Sequence, residues 1–160
     1  MKKNVICDID GVILHNNDLI PGADRFVHRL LEQGSKLLFL TNYPAQTQKD
    51  LQNRFRSAGI EVPEECFYTS AMGTADFLKR QDGKAYVIGE GALTHELYKA
   101  GFTITDIDPD FVVVGETRNY NWTMIQQGAK FVDQGARFIA TNPDTHGPMM
   151  HPACGALCAP

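Results

Sequence analysis

Short apolar runs alternate with amphipathic ones along most of the chain. Asn4–Asp8, Lys36–Leu40, Cys66–Thr69, Lys84–Ile88, Phe111–Val114 and Arg137–Ala140 each read as a strand bounded by polar or turn residues. Between them Ala23, Phe26, Val27, Leu30 and Leu31 follow the spacing of one helix face, and Gly34 supplies a left-handed stop. A second helix is expected from Pro44, a good first-turn residue, through Leu51 and Phe55 to Gly59. Further helical patterns end at Gly101 and Gly135. Strand–helix alternation of this kind predicts an α/β protein built on parallel sheets, a Rossmann-like core with a second α/β lobe.

Two features refine that picture. Ile13-Leu14-His15, Asn16-Asn17 and Asp18-Leu19-Ile20 read as a small hairpin, either a flap over a site or a plain surface excursion. The segment Glu32–Asn42 also has an echo at Asp133–Asn142: helix end, Gly, strand, then Thr-Asn with a proline close behind. Two lobes of similar build would produce this. The polar Gln81-Asp82-Gly83-Lys84 is the natural seam, dividing residues 1–82 from 83–160.

Composition narrows the function classes. The 160 residues carry 15 Lys and Arg against 19 Asp and Glu, a net charge of −4, with 43% hydrophobic residues. A phosphate backbone calls for surplus positive charge, so a nucleic-acid polymer is not the expected partner. No apolar run approaches the roughly 20 residues that span a bilayer, and Asp8 and Asp10 interrupt any signal-like stretch. A cytoplasmic protein without a membrane partner is expected; oligomeric state is not readable. Cys7, Cys66, Cys154 and Cys158 sit among apolar neighbours and read as reduced, small core residues. His146, His151, Cys154 and Cys158 match no common zinc spacing.

The sharpest chemical feature is Asp8-Ile9-Asp10-Gly11 directly after the first strand. Alternation along an extended chain puts Asp8 and Asp10 on one side and Ile9 on the other. Ligands of open α/β sheets bind at this carboxyl end. Two carboxylates there repel unless a cation intervenes, and hard oxygen donors suit Mg²⁺ together with a substrate phosphate. An ordinary Asp-Gly turn is the bland alternative. Thr41-Asn42 ends the next strand, where a hydroxyl, free N–H groups and the helix expected near Pro44 would favour an anion. Capping alone would also explain these two residues. Gly89-Glu90-Gly91 lacks the third glycine of a dinucleotide fingerprint and reads as a tight strand-to-helix turn. Asn142, Asp144 and His146 form a polar loop after a second-lobe strand, placed either to reach a substrate or simply to turn.

Asp8-Ile9-Asp10-Gly11, Leu40-Thr41-Asn42, Tyr68-Thr69-Ser70, Val87–Gly91, Phe111–Thr117, Thr141–Asp144 and Cys154–Cys158 together resemble the NagD-type, C2-capped branch of the haloacid dehalogenase-like phosphatases. The resemblance runs through the whole chain. It implies a phosphoric monoester hydrolase that uses Mg²⁺, held by Asp8 and Asp10, and acts on small phosphorylated metabolites, foremost nucleoside monophosphates such as UMP, with sugar phosphates next. Asp8 would be the nucleophile that carries a phospho-aspartate, Asp10 the acid/base, and Thr41 with the Asn42 backbone the phosphoryl clamp. Residues 1–82 would be the first part of the catalytic core and 83–160 a cap bearing Asn142, Asp144 and His146. The family also uses a Lys and a Gly-Asp motif after the cap. No Gly-Asp dipeptide occurs here and the last lysine is Lys130, so a chain ending inside the cap is expected. A non-catalytic phosphate-ester binding module is the alternative from another class.

Overall fold

The computed structural model describes residues 3–146 and 153–155. The chain divides into two compact units: Met1–Thr41 with Gln46–Thr69, and Asn42–Ala45 with Ser70–Pro160.

In the first unit, β1 (Asn4–Asp8), β4 (Lys36–Thr41) and β5 (Phe67–Thr69) form a parallel sheet in the order β1-β4-β5. The register sets Asp8 opposite Leu40 and Thr41 opposite Thr69. The hairpin lies between β1 and the first helix: β2 (Leu14–His15) pairs antiparallel with β3 (Asp18–Leu19). Asn16 turns it in the left-handed region, at φ 55°, a conformation asparagine tolerates better than most residues. Ile13 and Leu14 are buried, so the hairpin is anchored in the core at its base. Helices α1 (Ala23–Glu32) and α2 (Gln48–Ser57) cover one face of the sheet. There Cys7, Leu37, Phe39 and Phe67 meet Val27, Leu51 and Phe55. The rings of Phe39, Phe55 and Phe67 lie 4.8 to 5.5 Å apart, edge-on or stacked, a favourable arrangement for aromatic quadrupoles. On the opposite face Ile6 is 70% and Leu40 43% exposed.

Some expected boundaries move, and the strand read as Lys36–Leu40 runs on to Thr41. The strand read from Cys66 begins at Phe67, because Glu64–Cys66 forms a single 3-10 turn. The helix read from Pro44 begins at Gln48 instead. Asp50 N donates to Thr47 Oγ1 at 3.1 Å and Thr47 N donates to Asp50 Oδ2 at 2.9 Å. This reciprocal capping box fixes the start. Pro44 is buried outside the helix, in the short segment Asn42–Ala45 that belongs to the second unit.

The second unit holds a four-stranded parallel sheet in the order β7-β6-β8-β9, from β6 (Lys84–Ile88), β7 (Thr103–Ile104), β8 (Phe111–Val114) and β9 (Arg137–Ala140). Helices α3 (Ser70–Leu78) and α4 (Gly91–Lys99) pack on one face through Ala71, Ala75, Leu78, Leu93 and Leu97, against Phe111 and Val113. Helix α5 (Trp122–Asp133) packs on the other face, where Phe131 meets Ile88, Val112 and Val114. Successive valines of β8 thus face opposite cores, as a two-sided parallel strand requires. The Gly89-Glu90-Gly91 turn leads into α4. Glu90 Oε1 accepts from Thr117 Oγ1 at 2.7 Å and from the Arg118 N–H, so the carboxylate stabilises a neighbouring loop. Cys7 and Cys66 are free thiols and the buried Cys154 thiol donates to Val114 O at 3.1 Å, while His151 and Cys158 lie outside the described residues. No helix among the described residues is long and apolar enough to cross a membrane.

Candidate active site

Strand β1 delivers Asp8 at its carboxyl end with the side chain exposed, while Ile9 is fully buried and Asp10 half-buried. The alternation arises because Ile9 anchors the turn: its carbonyl accepts from the N–H groups of Ile13 and Leu14 at 2.9 and 3.0 Å. Gly11 follows at φ 85°. Its N–H donates to Leu14 O at 2.7 Å, and the left-handed backbone there favours a residue without Cβ. Thr41 lies at the same end of the neighbouring strand, one residue beyond the partner of Asp8, and is buried. The Cys7 thiol is pushed up from its ordinary pKa, first by burial and then by the negative charge of Asp8.

Arg54 completes this group, and sequence reasoning missed it. Its Nη2 donates to Asp10 Oδ1 at 2.8 Å and also to the carbonyl of Asn16 at the hairpin turn. Both partners of the ion pair are partly withdrawn from solvent, with side-chain exposures of 14% for Arg54 and 28% for Asp10. A basic residue in the last turn of an amphipathic helix ordinarily reads as a solvated charge near the helix dipole. The 44 residues that separate it from Asp10 hid the pairing.

The second unit brings another set together. Asn42 O accepts from Ser70 Oγ at 2.6 Å and from Asn142 Nδ2 at 2.9 Å. Asn42 Nδ2 donates to Asp144 Oδ2, and Asp144 N donates to Asn142 Oδ1 at 3.0 Å. Asn142 is buried, and Asp144 O further accepts from Gly155 N at 2.7 Å. The loop expected to face a substrate therefore has its Asn142 amide engaged with the backbone of residues 42 and 144. His146 is exposed, with Nδ1 2.8 Å from Thr145 Oγ1.

Asp8 and Asp10 make an all-oxygen donor pair. Among the described residues no group of three or more His, Cys, Asp or Glu side chains gathers to hold a metal. Two carboxylates fit a hard cation that keeps several waters, as Mg²⁺ does, better than a metal enclosed by protein. Arg54 already balances the charge at Asp10 Oδ1.

Residues 5–103 match the family model described as haloacid dehalogenase-like hydrolase. The chain belongs to the haloacid dehalogenase-like hydrolases. This member is 68% identical to the ribonucleotide monophosphatase NagD of Escherichia coli K12, over 98% of its own length and 63% of that protein. It is 43% identical to the dihydroxyacetone phosphatase of Corynebacterium glutamicum, over 96% of its length and 58% of the relative. The solved structure of NagD from E. coli K-12 superposes with a TM-score of 0.92 at 67% identity, covering 98% of this chain and 63% of that one. The sequence thus spans less than two thirds of the length of these relatives. The parallel-sheet, haloacid dehalogenase-like architecture of the NagD-type branch stands on these matches.

Proposed function

We propose that this chain contributes the nucleophile side of a Mg²⁺-dependent phosphoric monoester hydrolase acting on small phosphorylated metabolites. The observation that carries the reading is the Asp8 carboxylate, exposed at the carboxyl end of a parallel strand, with Asp10 two residues on and Thr41 at the same end of the adjacent strand. The phosphatase names of the relatives support the same class. Residues 1–82 then read as catalytic core and 83–160 as cap, with Asn142, Asp144 and His146 on the cap side.

Asp8 attacks phosphorus, forming an acyl phosphate that hydrolyses more readily than the ester. Asp10 gives a proton to the departing ester oxygen and later takes one from the attacking water. The Thr41 hydroxyl and the Asn42 backbone hold phosphoryl oxygens. Asp8 and Asp10 would hold Mg²⁺, which when bound offsets the repulsion between carboxylate and phosphate. Nucleoside monophosphates are the first substrate class, from the name of the 68% identical relative. Sugar and triose phosphates come second, from the 43% identical one.

The test is phosphate release from UMP, dihydroxyacetone phosphate and p-nitrophenyl phosphate, with and without Mg²⁺. Release that requires Mg²⁺ and falls to background in Asp8→Asn is the expected result. Release that survives Asp8→Asn sinks the nucleophile assignment. Mg²⁺-dependent binding of these esters without turnover favours a phosphate-ester binding module instead.

A further inference from the structure

Arg54 sits where helix geometry, the acidic turn and the hairpin meet. Leu51 and Phe55, its neighbours on α2, are buried in the first core and seat that face of the helix against the sheet. From that fixed base one guanidinium nitrogen reaches two acceptors, Asp10 Oδ1 at 2.8 Å and the Asn16 carbonyl. The left-handed backbone of Asn16 is part of the turn that carries this carbonyl. A guanidinium stays protonated at any working pH, so it gives no proton to the carboxylate and takes none from it.

We propose that Arg54 is a positioning residue for Asp10. Its guanidinium occupies Oδ1 and fixes the carboxylate rotamer, so that Oδ2 faces the reacting oxygen, and it ties the hairpin turn to the same carboxylate. The inference rests on the acid/base reading of Asp10 given above. In the first half of the reaction the proton on Oδ2 passes to the ester oxygen. The bond from that oxygen to phosphorus breaks as the phosphoryl group passes to Asp8. In the second half Oδ2 takes a proton from water, whose oxygen bonds to phosphorus as the bond to Asp8 breaks. Arg54 touches no reacting atom. It acts through the orientation of Asp10, and a carboxylate displaced by about 1 Å loses on the order of 10²-fold in rate.

Leaving-group dependence separates positioning from a general structural role. A nucleoside leaves as an alkoxide that needs its proton, whereas p-nitrophenolate leaves with little help. In Arg54→Ala, kcat/KM for UMP is expected to fall about 10²-fold and that for p-nitrophenyl phosphate only a few-fold. Arg54→Lys keeps the charge without the fork and should recover part of the loss; millimolar guanidinium added to Arg54→Ala should do the same. Equal losses on the two substrates, or no loss on either, overturn the proposal. Absence of turnover in the wild-type chain with both esters is a failure of the hydrolase reading, and the tie is then decided by amide exchange. Exchange at Leu14–Leu19 should quicken about tenfold in Arg54→Ala while the amides of α1 stay unchanged. Unchanged hairpin exchange overturns the tie.

Discussion

At the scale of single residues, Asn142 illustrates how a polar side chain can be identified by position and still be engaged in an unforeseen way. Its amide donates to Asn42 O and its carbonyl accepts from Asp144 N. The residue is buried, so each partner has little water to fall back on. Truncation removes a donor and an acceptor together. Ser70 Oγ still serves Asn42 O, but the Asp144 N–H loses the partner described for it. Asn142→Ala should therefore destabilise the chain by about 1–3 kcal/mol, read as a lower urea midpoint with an unchanged slope. An unaltered midpoint would mean that the side chain does not hold this turn. The exposed Asp8 beside a buried Ile9 was legible because alternation along a strand is local. Arg54 was not, since nothing local tells a charge that pairs 44 residues away from one that faces water.

Elements show the same division between local and distant causes. Strands β1, β6, β8 and β9 begin and end where the sequence reading places them. The hairpin followed from Asn16-Asn17. Helix α3 carried a weaker signal: Ala71, Thr74, Ala75 and Leu78 are its buried positions, and small residues give a faint stripe although they let helices approach closely. The two-residue β7 is too short to leave a pattern. The start of α2 was misplaced because Pro44 is a plausible first-turn residue, whereas Thr47 and Asp50 form the box that decides it. Thr47→Ala is accordingly expected to cost about 1 kcal/mol and to quicken amide exchange in the first turn of α2. Pro44→Ala should leave that exchange unchanged. A helix that keeps its protection in Thr47→Ala would show that packing of Leu51 and Phe55, rather than the cap, sets its start.

Across the whole molecule, the α/β class was legible because alternating strands and helices leave few ways to bury every apolar face. The unit to which each piece belongs was less so. Polar Gln81–Lys84 marks a surface turn, while α3 ahead of it packs with α4 through contacts the sequence does not display. The two units also bury their sheets differently. β8 is buried on both faces, but β1 and β4 are buried on one, with Ile6 and Leu40 exposed on the other. Hydrophobicity alone would rank Ile6 and Phe39 together as core residues of neighbouring parallel strands. Burial separates them: Phe39 is inaccessible and packs against Phe55 and Phe67, so its truncation leaves a cavity between rings held by helix and sheet. Phe39→Ala should cost about 3–5 kcal/mol, a large share of the roughly 5–15 kcal/mol that holds an ordinary domain together. Ile6→Ala removes atoms already in water and should stay within about 0.5 kcal/mol. Urea unfolding of the two variants against the parent decides the matter. A cost at Ile6 approaching that at Phe39 would mean that the open face is covered in solution, and sedimentation velocity on the parent chain would then show whether a second copy covers it.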